Sequence, residues 1–347
     1  MSPERSPRPF AVLALACCLL LPAGCGFDRS TLPSQLTDDE FRTLAAELSE
    51  PAGAFPFSDN LVSNELPYAQ VIRTLGPMGG VYIGVGPEQN FSYIARLRPA
   101  MAFVVDIRVE NRDLHLFYKA LFEIAADRAD FVSRLFSRPR PQEVGAGSSV
   151  DELFTALEQQ RPQRPRRDDT ARLVRARLLD QHRLSLTPFD LQVIDYVLDA
   201  FYSDGPGIHY ARLTPAEPRG PSYRALMTAT DVTGRAGSYL GSEEDFAFVK
   251  DLQMRNLVVP IVGDFGAKGA LRRTADYIRQ HGEALTAFYS SNVEVYLNRE
   301  KANAFCANLA HMPYGWRTWF IGSKGKQPLR LKLAACTGQD TMKVPPR

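Results

Sequence analysis

Apolar and polar positions alternate along this chain in two distinct rhythms, and the rhythms divide it into strands and helices. Four short continuous apolar runs, near 81–85, 102–106, 257–262 and 285–290, each stop at a glycine or a polar residue. Continuous apolar runs of this length predict strands buried on both faces, hence a mainly parallel sheet with helices on each side. Helical spacing fills the segments between them. Thr37 with Glu40 three residues on predicts a capping box opening a helix that stops near Pro51 and Gly53. "NFSYIARL" predicts a helix starting between Pro87 and Asn90, and Asn111 is the expected cap of one long amphipathic helix through "RDLHLFYKALFEIAADRADFVSRLF". Ser242 with the acids after it reads as a further helix start. "WRTWFIGSKGKQPLRLKLAAC" predicts two β runs around a Gly/Pro-bearing turn. The fold class expected is α/β, a doubly wound and mainly parallel sheet. A largely helical insertion over 110–255 separates strands two and three.

Composition changes this picture at the N-terminus. Arg5 and Arg8 precede the apolar stretch "FAVLALACCLLL" and then "PAGC", the layout of a secretory signal over 1–25. Ala23 and Gly24 before Cys25 resemble the lipobox of bacterial lipoproteins, with Pro22 where an aliphatic residue is usual. The resemblance implies an acylated Cys25, an extracytoplasmic location and a membrane attachment through an N-terminal lipid; an ordinary secretory signal cut nearby is the alternative. Residues 26–347 would then form the folded unit. Cys306 and Cys336 are the cysteines beyond Cys25, and an exported chain could join them.

Net charge is +2 with both signs interspersed, which argues against a nucleic-acid partner. The arginines of "RPQRPRR" are expected on a solvated face balanced by Asp168 and Asp169. His115, His182, His209, His281 and His311 are scattered without metal-ligand spacing, and neither a GxSxG elbow nor a GxxxxGK[ST] loop occurs. Asp204 and His209 on "YSDGPGIHY" are expected in a helix-ending turn and not as an acid–base pair.

The candidate site lies where the four strands end, since ligands of open α/β sheets bind outside the carboxyl ends of the strands. Gly84 and Gly86 close the first run, Asp106 ends the second, Asp264 follows the third and Asn292 the fourth. The motifs "VYIGVGPEQNFSYI", "VVDI", "VPIVGDF" and "FYSSNVEVYL" resemble a class I S-adenosylmethionine methyltransferase, and more narrowly an uncharacterised bacterial family described only as methyltransferase-like. This resemblance implies a Rossmann fold, with Gly84, Gly86 and Glu88 around the amino-acid part of the cofactor. It also implies Asp106 on the ribose, Asp264 on the adenine amine, and strand three at a sheet edge, where Pro260 is tolerated. The chain departs from the pattern at Tyr82, where an acid is usual, and at Glu88, where a third glycine is usual. Asp59, Asn60, Ser63, Asn64 and Glu65 precede the first strand and are the candidates for contacting a small-molecule substrate. S-adenosylmethionine is made and kept in the cytoplasm, so this cofactor and the export signal conflict. Three readings stand: an exported ligand-binding protein, an active methyltransferase retained inside, or an envelope lipoprotein with an empty pocket.

Overall fold

Each of the four continuous apolar runs forms a buried parallel strand: β1 (Val81–Gly84), β2 (Met101–Asp106), β3 (Val258–Val262) and β4 (Leu285–Ser291). The computed structural model describes residues 30–55, 59–210 and 220–338, so Cys25 and the rest of the signal-like segment lie outside the described residues. With β5 (Tyr314–Gly322) and β6 (Gly325–Pro328) the strands make one six-stranded sheet in the order β3-β2-β1-β4-β5-β6, parallel except for the β5–β6 pair. The protein is therefore a mixed α/β fold on a mostly parallel sheet. The chain runs outward from β1 through β2 to β3, then returns to the other side of β1. The carboxyl ends of β1 and β4 consequently flank the point where the connections diverge, which is where such sheets leave a crevice.

The edge position of β3 is as expected, with Pro260 opposite Val104. A bare edge would invite pairing with another chain. Here α1 (Asp38–Leu48) and the residues after it cover it: Glu50 N–H donates to Val262 O at 2.9 Å, and Ser49 Oγ accepts from Val262 N–H at 3.1 Å. The Thr37–Glu40 capping box that starts α1 is present in both directions. Thr37→Ala should cost about 1 kcal/mol in urea-induced unfolding, as typical for a lost cap. An unchanged midpoint would show that α1 is held by its packing on β3 alone.

After α2 (Tyr68–Arg73) and α3 (Gln89–Leu97), the expected long helix is two. The first, α4 (Val109–Ile124), begins two residues before Asn111, which lies inside the helix and does not cap it. The second, α5 (Arg128–Leu135), restarts because Asp127 turns its carboxylate to accept from Asp130 N–H at 2.8 Å, a local bond that competes with continuing the helix. The rest of the insertion is helical as expected: α6 (Val150–Glu158), α7 (Arg164–Arg175), α8 (Pro188–Asp204), α9 (Tyr223–Met227) and α10 (Glu243–Met254), the last capped by Ser242. The basic cluster lies on α7, where Arg164 and Arg167 meet Asp168 and Arg172 meets Asp169. The stretch around Asp204 and Gly205 is a helix-ending turn, with Gly205 at φ +62°.

Beyond β3 come α11 (Ala270–Gln280) and α12 (Arg299–His311). The second β run of the expected hairpin is short. Strand β6 stops at Pro328, opposite Trp319, because β5 bulges away at that point and offers no further ladder. The following "LRLKLAAC" coils instead into α13 (Leu329–Cys336), and a Cys306–Cys336 disulfide ties it to α12.

Candidate functional site

The turn after β1 is built around one side chain. Asn90 Nδ2 donates to the carbonyls of Val85 and Gly86 at 3.0 Å and of Pro87 at 2.7 Å, while its Oδ1 accepts from Tyr82 OH at 2.9 Å. Gly84 packs against this pair: a Cβ there would lie 2.0 Å from Asn90 Oδ1 and 2.5 Å from Tyr82 OH. Its close approach serves the interior and not a ligand, which corrects the expected cradle role. Gly86 is different. Its φ is +77°, a Cβ on it would meet nothing within 4 Å, and it faces a cleft of about 280 Å³. Beneath it, His115 Nε2 lies 2.8 Å from Gly86 O; burial lowers the imidazole pKa to about 4, so the ring is neutral and its N–H donates to that carbonyl.

This cleft opens at the carboxyl ends of β1 to β4, where the sequence placed the site. Gly86, Asp106, Asp264 and Asn292 all line it, together with Asn60, Ser63 and Asn64. Four elements and a loop separated by up to 232 positions thus converge, from Asn60 to Asn292. Phe55, Tyr210 and Tyr296 supply aromatic wall, with the Phe55 and Tyr296 rings edge-to-face at 5.1 Å.

Each acid in the wall already has a partner. Asp106 is held by Arg108 two residues on: Oδ1 accepts from the Arg108 backbone N–H and from Nε, and Oδ2 accepts from the other arm of the guanidinium, all at 3.0 Å. Both side chains are buried. The ribose role expected of Asp106 is therefore taken, in this structure, by the chain's own guanidinium. At the end of the neighbouring strand Lys301 Nζ donates to Asp264 Oδ2 at 2.8 Å, while Asp264 Oδ1 accepts from Gly266 N–H at 2.8 Å. The charges on the cleft wall are thus balanced, within a lining that is largely apolar.

Besides Gly84, three candidates fall outside the lining. Glu88 is wholly buried and accepts from Ser63 N–H at 3.2–3.3 Å; burial raises its carboxyl pKa to about 8, with the Ser63 N–H opposing. It serves the wall from behind because the residue preceding α3 turns inward. Glu65 is also buried, and burial raises its pKa against the lowering by Ser291, Tyr289 and Gln89. Its Oε2 accepts from Tyr289 OH at 2.9 Å and from Gln89 Nε2 at 3.3 Å, and Oε1 accepts from Ser291 Oγ. Tyr289 and Ser291 do line the cleft, so Glu65 reaches it through them. Asp59 accepts from Tyr196 OH at 3.1 Å and lies off the lining.

Sequence reasoning missed Arg108, Lys301 and the aromatic residues. Arg108 carries a usable signal, an arginine two positions after a strand-ending acid. Lys301 carries none, being 37 residues from Asp264. Among the described residues no cluster of histidine, cysteine and acids could hold a metal ion, and no helix is long and apolar enough to cross a membrane.

The chain matches the family described as Domain of unknown function (DUF7790) over residues 60–181 and 210–338, and it belongs to that family. The matched spans carry all six strands and most of the cleft, and they omit residues 182–209, which include α8. No curated protein matches the chain.

Proposed function

We propose that this chain is an exported, lipid-anchored protein whose methyltransferase-like Rossmann domain binds a small polar ligand of nucleoside type. One observation carries the binding reading: a cleft with an aromatic wall and a few polar groups at the carboxyl ends of β1 and β4, with Gly86, Asp106, Asp264 and Asn292 converging on it. The parallel order β3-β2-β1-β4-β5 supports the Rossmann assignment. The Cys306–Cys336 disulfide supports export, since such bonds persist in oxidising compartments. Because Asp106 and Asp264 are each neutralised by a cation, the cleft favours a neutral or zwitterionic ligand over a strongly charged one. S-adenosylmethionine, S-adenosylhomocysteine and adenosine are the compounds to try first.

Thermal-shift and calorimetric titration of these three compounds test the reading. At least one should stabilise the protein, and Gly86→Ala should abolish the effect, because the new methyl group projects into the cleft. Asn292→Ala should weaken binding by about 1 kcal/mol, the worth of one hydrogen bond. Asp106→Ala is the wrong probe, since it leaves the buried Arg108 charge unpaired and costs stability whatever the ligand. A second reading, an envelope lipoprotein whose pocket stays empty, is favoured by the Arg108 clamp on both Asp106 oxygens. No stabilisation by any of the three compounds would select it. Lipid anchoring has its own test: Cys25→Ala should release the protein from the membrane fraction.

A further inference from the structure

The end of the sheet opposite the cleft carries a built feature that the binding site does not use. Leu285 on β4 pairs with Tyr314 on β5, yet two residues later Ala287 faces Trp319, five residues on from Tyr314. The surplus of β5 leaves the ladder as a bulge. Thr318 fastens its base, with Oγ1 donating to Leu285 O at 2.6 Å and accepting from Gly315 N–H at 2.9 Å. At its tip Trp316 is 78% exposed, beside Tyr314 at 42%. Bulges commonly re-aim a side chain, and this one aims an indole into solvent. Two arginines accompany it. The Arg317 guanidinium lies 5.5 Å from the Trp316 ring centre, and Arg330 Nη1 donates to Trp316 O at 3.1 Å. Both arginines are exposed, and neither has a carboxylate partner among the described residues. A hollow beside the bulge is lined by Trp316, Arg317, Glu283 and Arg98; burial raises the Glu283 carboxyl pKa, and Arg98 is paired with Asp245 at 2.8 Å and Glu244 at 3.2 Å.

The start of the described chain arrives at this same end. Thr31 N–H donates to His281 O at 3.0 Å, at the close of α11, four residues before β4 begins. Leu285 N–H in turn donates to Pro313 O at 2.7 Å, immediately before Tyr314. Thr31 lies six positions beyond Cys25, a stretch that spans at most about 20 Å when extended. A lipid on Cys25 would therefore hold this end of the sheet close to the bilayer.

We propose that the amino-terminal end of the sheet, with Trp316 at its centre and Arg317 and Arg330 beside it, is the face that lies against an anionic lipid surface. The proposal rests on the lipid-anchored reading and adds an orientation to it. Indole rings settle at the level of lipid headgroups, and arginines close to an anionic surface add attraction. The cleft then opens away from the membrane, at the far ends of β1 and β4, free to meet a soluble ligand.

The chain from Gly26 onward keeps every described contact, because those contacts lie within residues 30–338. It should co-sediment with phosphatidylglycerol vesicles and not with phosphatidylcholine vesicles. Arg317→Ala and Arg330→Ala should each reduce partitioning about fivefold. Trp316 and Trp319 are the two tryptophans, so Trp319→Phe leaves Trp316 as sole reporter, and its emission should shift to the blue on anionic vesicles. Equal partitioning of wild type and Trp316→Ala, an unshifted emission, or equal affinity for both vesicle types would overturn the proposal. So would a change in elution volume of Trp316→Ala without vesicles, which would make this face a contact between copies of the chain. The anchor itself is read separately, by membrane fractionation of Cys25→Ala in cells. Vesicle binding that survives a failed fractionation result leaves the face standing and removes the lipid; the reverse pattern removes the face alone.

Discussion

Gly84→Ala should destabilise the fold by about 3–5 kcal/mol, whereas Gly86→Ala, two residues later, should cost only about 1–2 kcal/mol. The two glycines differ in what surrounds them. The added carbon at Gly84 would overlap Asn90 Oδ1 and the Tyr82 ring, which are wholly buried. Neither can swing aside without breaking the bonds from Asn90 to three turn carbonyls or the one from Tyr82 OH. Overpacking and stranded buried polar groups therefore act together. At Gly86 there is open space, and only the left-handed φ of +77° penalises a side chain. Urea denaturation of both variants measures the difference. Equal losses at the two positions would mean that the turn yields as a unit and that Asn90 does not organise it.

Glu88→Gln should make the protein more stable than wild type by about 2–4 kcal/mol at pH 8.5, with a much smaller difference at pH 5. The Glu88 carboxyl has its pKa raised from 4.5 to about 8 by burial. Between those values the folded chain holds a proton that the unfolded chain has released, so stability declines as pH rises, by up to about 1.4 kcal/mol per pH unit, and levels off above pH 8. Other buried groups act as well, among them Asp113, Glu65 and His115. Asp113, raised to about 7 by burial against the pull of Arg112, adds to the decline below pH 7. His115, lowered to about 4 by burial, acts in the opposite sense between pH 4 and 6.5, because there the unfolded chain binds the extra proton. Glu88 contributes to the slope from pH 7 to 8. The amide of glutamine keeps an acceptor for Ser63 N–H and carries no charge to bury. Unfolding free energies at pH 5, 7 and 8.5 give the test; parallel curves for wild type and variant would show that Glu88 ionises in the fold as it does in the unfolded chain, with no shift from burial.

Glu88 and Asp106 show where a motif stops being informative. Position and residue type put both beside a ligand, and the strand ends are where that expectation placed them. What a carboxylate does there depends on its nearest partner. Arg108 reaches Asp106 through a turn whose direction is set by α4, and Glu88 turns inward because the chain around Ser63 crosses behind it. Neither event leaves a periodic trace in the residues.

The local features were legible for a related reason. The Thr37 and Ser242 caps, the four buried strands and the edge position suited to Pro260 depend on residues within a few positions of one another, or on an apolar run long enough to be buried on both faces. The failures are equally physical. The break between α4 and α5 turned on a single competing cap at Asp127, and "LRLKLAAC" coiled into α13 because β5 had already bulged out of reach. A period-2 pattern forms a strand only where a partner strand is present.

By itself, then, the sequence determined the alternation of buried strands and amphipathic helices and the end of the sheet at which the cleft opens, because apolar periodicity and local capping act over a few residues. Only the tertiary structure decided the strand order, the pairing of Asp264 with Lys301, and the exposure of Trp316. These depend on which distant segments meet, and contacts across tens or hundreds of residues are selected by packing of the whole domain and not by any short stretch of it.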